Sequence, residues 1–145
     1  MIHYYVRLKK LNPSDGGGYL AEFPELEGCI TDGKTKERAL ENAAEALNGW
    51  LAARCDRNLN IPEPIERRSK VYHPIMVDLN IELPILLRQM RKKKRLSQSA
   101  IAKKLDISQQ AYAKLENPDT ANPSLLTLQK IGEVLGIEID FKLVA

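Results

Sequence analysis

A chain of 145 residues with 43% hydrophobic and 28% charged side chains has the composition of one medium or two small packed domains, not of a disordered polymer. No apolar run approaches the roughly 18 residues that a membrane-spanning helix needs. The opening residues Met1–Arg7 lack the basic flank and apolar stretch expected of a secretion signal. Net charge is only +3, but residues 1–80 carry 11 basic and 12 acidic side chains whereas residues 81–145 carry 11 and 7, so a polyanion is expected to favour the second part.

Residues 2–9 alternate Ile2, Tyr4, Val6 and Leu8 with His3, Tyr5, Arg7 and Lys9, the period of a strand. Asn12–Gly18 is turn chemistry, so Tyr19–Phe23 is expected to return as an antiparallel second strand. After the turn Pro24–Gly28 comes a short third strand, Cys29–Thr31. A helix then starts at Thr35, a capping residue, with Glu37 placed favourably in its first turn. Leu40, Ala43, Ala44, Leu47 and Leu51 give it an apolar stripe to about residue 55, and Trp50 adjoins that stripe as core or interface. Asn58–Ser69, with Pro62 and Pro64, is expected to be a loop, and Val71–Leu79 a fourth strand. The order β-β-β-α-β closes near residue 80.

Beyond it the period becomes helical, with segments at about 81–94, 98–105, 109–116 and 124–135. Ser97, Ser108 and Ser124 stand where caps are needed, and Gly136 suits a left-handed helix end. Ile137, Ile139, Phe141 and Leu143 alternate with Glu138, Asp140 and Lys142, so a final strand is expected, paired with the same strand of a second subunit in preference to an edge of the N-terminal sheet. The fold class is thus α+β in two domains, 1–80 and 81–145. Cys29 and Cys55, with no neighbouring cysteine or histidine at ligand spacing, are read as reduced thiols of a cytoplasmic protein, and no metal or cofactor is expected.

In the run Leu96–Tyr112 one helix ends, three residues turn, and the next begins at Ser108. Ala102 is small enough for a close helix crossing, and Ile101, Leu105, Ile107 and Leu115 fill the wedge. The turn needs a residue tolerant of positive φ, a role Asp106 can take less readily than glycine. Such an arrangement projects Gln109, Gln110, Tyr112 and Ala113 from the start of the second helix, and a major groove about 12 Å wide admits it. Together with Arg88, Ser97-Gln98, Leu115-Glu116-Asn117, Asn122-Pro123-Ser124-Leu125 and Leu135-Gly136, the segment resembles the XRE family of Cro and lambda-repressor-like helix-turn-helix domains. That resemblance implies operator DNA as partner. It also implies base reading by Gln109 and Gln110 from a helix capped by Ser108, and a phosphate contact by Gln98 braced against Gln109. Lys94 and Arg95, in the basic run Arg91-Lys92-Lys93-Lys94-Arg95 that is otherwise a solvated helix end, and Lys114 are candidate phosphate contacts. Tyr112 can contact DNA or pack inward.

The ordered set Gly18-Tyr19, Phe23-Pro24-Glu25-Leu26-Glu27-Gly28-Cys29, Asp32-Gly33-Lys34-Thr35, Glu37-Arg38-Ala39-Leu40 and Ile61-Pro62-Glu63-Pro64 resembles the HicB antitoxin family. Arg38 departs from the acidic residue more usual there. The resemblance implies a partial RNase H-like fold that binds a basic, mRNA-cleaving HicA-type toxin. Glu22, Glu25, Glu27 and Asp32 are candidates for steering that cation, or are ordinary turn residues. The first strand offers no carboxylates for a two-metal site, and His3 and His73 have no partners in sequence, so the domain is expected to be catalytically silent. The expected function is a type II antitoxin that also represses its own operon as a dimer, its recognition helices about 34 Å apart. Two rivals stay open: a regulator whose N-terminal domain senses a small ligand, and an active nuclease.

Overall fold

The computed structural model describes residues 2–145. In chain order they form β1 (His3–Lys10), β2 (Tyr19–Glu22), β3 (Ile30–Gly33), α1 (Lys36–Asp56), β4 (Tyr72–Met76), α2 (Leu79–Lys93), α3 (Gln98–Lys104), α4 (Gln109–Leu115) and α5 (Leu125–Leu135). They fall into two compact units, Met1–Glu82 and Leu83–Ala145. The fold is therefore mixed α+β, with one antiparallel four-stranded sheet and five α-helices.

In the first unit the strands lie in the order β3-β2-β1-β4, each pair antiparallel. Alternation along β1 sends Tyr4 and Val6 into the core, joined there by Ala21 and Ile75. The other face carries His3, Tyr5 and Arg7, with Glu22 opposite Arg7 and Asp32 opposite Leu20. Helix α1 covers the apolar face; Thr35 caps it, its hydroxyl accepting from the Arg38 N–H at 3.1 Å. Its buried residues are Ala39, Ala43, Leu47, Leu51 and Cys55, one stripe at every fourth position. Leu40 and Ala44, expected in that stripe, are only half-buried beside it. Gly33, where β3 ends against the start of α1, has no room for a side chain: a Cβ there would stand 2.4 Å from the Ala39 backbone nitrogen.

The proline-containing stretch between α1 and β4 is a loop, tied down at several points. The Tyr4 hydroxyl donates to the Pro62 carbonyl at 2.6 Å, and Arg67 pairs with Glu25 while stacking on Tyr72. Strand β4 stops at Met76, three residues short of the expected end, because the Asp78 carbonyl accepts the first helical bonds of α2 from Ile81 and Glu82.

The second unit packs α2 to α5 around Leu87, Ile101, Ala102, Tyr112, Ile131 and Leu135. Ser97, Ser108 and Ser124 cap α3, α4 and α5, each accepting a backbone N–H three residues on at 3.0–3.1 Å. Gly136 ends α5 with φ +62°, and the bonds Gly136 N–H to Glu133 and Ile137 N–H to Gly132 complete a Schellman closure. The same closure ends α1 at Asn58, α2 at Arg95 and α3 at Asp106, with φ of +55°, +56° and +56°. The expected strand at 137–143 does not form. A strand exists only against a neighbouring edge, and among the described residues no backbone–backbone hydrogen bond is made beyond Ile137.

Candidate nucleic-acid interface

The arrangement of α3 and α4 depends on a short turn with a left-handed residue in its middle. Asp106 takes φ +56°, and Ile107 then donates its N–H to the Ala102 carbonyl at 3.0 Å, turning the chain sharply before Ser108. Ala102 is 2% exposed at the crossing, where a longer side chain would hold the helices apart. Gln109 and Gln110 therefore open α4 on its solvent side, both exposed. Their amides carry a donor and an acceptor each, the pattern that pairs with adenine N6 and N7. Ser108 is also exposed, but its hydroxyl is committed to the Ala111 N–H at 3.0 Å. Ala113 is half-buried, and Lys114 is exposed in the last turn.

Beneath this surface lies a buried ionic network centred on Glu116, whose side chain is 3% exposed. Arg91 donates from Nε to Oε1 at 2.6 Å and from Nη2 to Oε2 at 2.9 Å. Gln98 donates its amide to Oε2 at 3.0 Å, and the Tyr112 hydroxyl donates to Oε1 at 2.8 Å. Arg91 also donates to the Leu96 carbonyl at 2.9 Å. One carboxylate thus ties α2, α3 and α4 together. Burial alone would push the Glu116 carboxyl up; the hydrogen bonds from Arg91, Gln98 and Tyr112, with the Arg91 charge, outweigh it and hold the group below its ordinary value. Burial, then the Glu116 charge, push the Tyr112 hydroxyl well above the usual tyrosine range.

This network corrects three sequence expectations. Tyr112 is not exposed beside the glutamines but fully buried, because its ring completes the core and its hydroxyl finds Glu116. Gln98 is braced by Glu116 rather than by Gln109, since a buried carboxylate is the stronger acceptor. Arg91 leaves the basic run and turns inward, its side chain 12% exposed. Lys93, Lys94 and Arg95 stay exposed at the end of α2, as do Lys103 and Lys104 at the end of α3. Reasoning from sequence assigned Glu116 no role. The available signal was an acid one helical turn beyond Tyr112 on the inward face of a short helix.

The four acids proposed in the first unit do not form one patch. Glu22 pairs with Arg7 at 2.7 Å on the exposed sheet face, which it shares with Asp32. Glu27 is exposed in the turn before β3, where its carbonyl accepts from Trp50 at 3.0 Å. Glu25 is not a surface charge: its side chain is 6% exposed and occupied by Arg67, 42 residues along the chain. The same exposed sheet face carries Ile30 and Met76, each about half exposed, which sequence reasoning did not single out. Among the described residues no group of three or more His, Cys, Asp or Glu could hold a metal, and no helix is long and apolar enough to cross a membrane.

Two family models match the chain. One described as UPF0150-like covers residues 9–62, and one described as Helix-turn-helix covers residues 87–142. A UPF0150 protein of Thermoplasma acidophilum is 36% identical over 52 residues, which is 36% of this chain and 75% of that protein. Antitoxin HicB of Escherichia coli K12 is 27% identical over 134 residues, spanning 92% of this chain and 96% of its own. Antitoxin HicB 1 of Photorhabdus laumondii is 27% identical over 105 residues, 72% of this chain and 66% of its own.

Proposed function

The chain belongs to the UPF0150-like family, here joined to a helix-turn-helix domain, and on that basis we propose that it is an antitoxin that represses its own operon. The observation that carries the DNA half of this reading is the glutamine pair at the start of α4. Both side chains are free to meet base edges while the Glu116 network fixes the helix beneath them. Gln109 and Gln110 read bases, and Ala113 lies near the same groove wall. Lys94, Arg95 and Lys114 neutralise phosphates, which makes affinity fall steeply with salt. The Ser108 cap and Gln98 position the helix. Two copies address two half-sites about one DNA turn apart.

The toxin half rests on similarity along nearly the whole chain to proteins named antitoxin HicB. The first unit, which we read as a catalytically silent partial RNase H-like fold, occludes a cationic HicA-type toxin ribonuclease in the cytoplasm. Its exposed sheet face suits that role, since Glu22 and Asp32 supply charge while Ile30 and Met76 supply apolar contact. The chain needs no metal or cofactor for either role.

The test is co-expression with the short basic reading frame expected beside this gene, together with anisotropy titrations on the DNA upstream of it. Growth arrest by the neighbour, relieved by this chain through a stable complex, supports the antitoxin role. No rescue and no complex refutes it, and equal binding of upstream and random DNA refutes the repressor role.

A further inference from the structure

The sheet of the first unit has two edges, β4 and β3, and they are built differently. On β4 the bonds from Leu8 N–H to Val71 and from Val77 N–H to Ile2 fix the ladder at the odd-numbered residues, so Tyr72, Pro74 and Met76 turn their backbone groups outward. Tyr72 donates to the Ser69 carbonyl at 3.0 Å and Pro74 has no N–H, so no strand can be added along that edge. On β3 the bond from Phe23 N–H to the Cys29 carbonyl fixes the ladder at 31 and 33, so Ile30 and Asp32 point outward. Helix α1 meets this edge at two places. Asn42 donates to the Asp32 carbonyl at 2.8 Å, and Trp50 to the Glu27 carbonyl at 3.0 Å. Both lie on one flank of α1, with Ala46 midway between them. Between these two ties the Ile30 N–H, the Ile30 carbonyl and the Asp32 N–H have no backbone partner among the described residues, and the Ile30 side chain is half exposed.

We propose that this window receives an extended segment of the cationic toxin, laid along β3 as a fifth strand. The inference rests on the antitoxin reading and adds to it a mode of capture. An added strand gives the three open backbone groups their partners, and the side chains around the window set its sequence. The residue opposite Ile30 shares the outer sheet face with it and is apolar. Two positions along, on the same face, the residue opposite Asp32 is basic. The side chain between them turns toward α1 and lies over Ala46, where Asn42 and Trp50 on either side limit it to a small one. Glu27, exposed at the other end of the window, adds negative charge to that of the exposed Asp32. These charges favour a basic strand, and they disfavour a second copy of this chain, whose own edge would bring the same acids to the contact.

The test is amide hydrogen exchange on the isotope-labelled full chain, alone and in complex with the unlabelled toxin encoded beside it. The Ile30 and Asp32 amides should slow about tenfold or more on binding, while Thr31, already bonded to Ala21, changes little. Affinity of the toxin for variants checks the same point. Ile30→Pro removes an N–H that β2 does not use and should weaken the complex about tenfold, whereas Ile30→Val keeps the N–H and should stay within about threefold. Ala46→Leu, which a helix accommodates, fills the window and should also weaken the complex about tenfold. Should Ile30→Pro disturb the fold, seen as a shifted urea midpoint of Trp50 fluorescence, the exchange pattern and Ala46→Leu decide without it. A complex in which Ile30 and Asp32 exchange as fast as in the free chain, or one as tight with Ala46→Leu as with wild type, overturns strand addition and leaves the antitoxin reading standing. Ile30→Val as weak as a folded Ile30→Pro overturns it too, since the side chain and not the backbone would then make the contact. Failure of the toxin to bind at all overturns both readings.

Discussion

Replacing Glu116 by glutamine removes one charge and almost no volume, so the cost is set by the hydrogen bonds around the carboxylate. Oε1 accepts from Arg91 Nε and Tyr112, and Oε2 accepts from Arg91 Nη2 and Gln98. A glutamine amide must put its NH₂ at one of these two places. At the Oε2 position it confronts two nitrogen donors. At the Oε1 position it confronts one, because the Tyr112 hydroxyl can rotate to accept. The less costly orientation therefore leaves one Arg91 N–H unpaired and the guanidinium without its counter-charge in a buried site. A buried unsatisfied donor costs about 1–3 kcal/mol, and breaking a buried ion pair by losing one partner about 3–5. These overlap, and a loss of about 3 kcal/mol is expected for Glu116→Gln. The protein's single tryptophan, Trp50, lies in the first unit, so its fluorescence follows that unit alone while circular dichroism at about 222 nm follows both. In urea the variant should show an early helical transition with the Trp50 transition unmoved. A second-unit midpoint within about 0.5 kcal/mol of wild type would refute the claim that this carboxylate holds α2, α3 and α4 together.

The same group sets a pH response. Its folded pKa lies below the ordinary 4.5, so its contribution is complete above that value and is lost as pH falls through the lower folded one. The second unit's urea midpoint should thus drop on acidification below about pH 4.5, with a smaller drop in Glu116→Gln; equal drops would count against it. Asp106→Gly relieves a left-handed backbone at φ +56° and should add about 0.5–1 kcal/mol to second-unit stability after the unfolded-chain penalty of glycine. A lower melting temperature would show that the Asp106 side chain contributes something the backbone argument omits. Gln109→Ala should flatten base preference, whereas Lys94→Ala should weaken every DNA alike and shallow the salt slope by about one. Competition titrations against substituted operators would show the reverse if the roles were exchanged. Tyr112→Phe should cost about 1–2 kcal/mol of stability by releasing a bond to a buried carboxylate, yet leave base preference as it was. Altered preference without destabilisation would place Tyr112 at the DNA after all.

What could be read from the sequence was whatever rests on local physics. The β1 alternation, the three serine caps, the Gly136 helix end and the left-handed Asp106 depend on residues within a few positions of each other, and each stands as expected. What could not be read depends on pairing across the chain. Glu25 looked like a surface acid until Arg67 reached it from the loop, and Arg91 looked like one of five solvated cations until Glu116 drew it inward. In both cases the missing knowledge was which opposite charge folds back, a matter of topology rather than composition. Tyr112 shows the same limit on a smaller scale. Helical spacing placed it near the glutamines; its partner Glu116 lies only four residues on, but that this carboxylate faces inward follows from Arg91 and Gln98 closing on it from α2 and α3.

The network also constrains how the helix-turn-helix can work. A side chain that closes a buried hydrogen-bond circuit is not free to sample base edges, so the circuit commits Tyr112 and the Gln98 amide nitrogen inside and leaves Gln109 and Gln110 exposed, the pair to which the proposed function gives sequence preference. Two amides can specify little on a single half-site, since each good bidentate contact discriminates by about 1–3 kcal/mol. Selectivity sufficient for an operator must then come from using the same pair twice. On the proposed reading, a fixed separation between two copies of α4 is therefore what would turn two modest contacts into a choice of site.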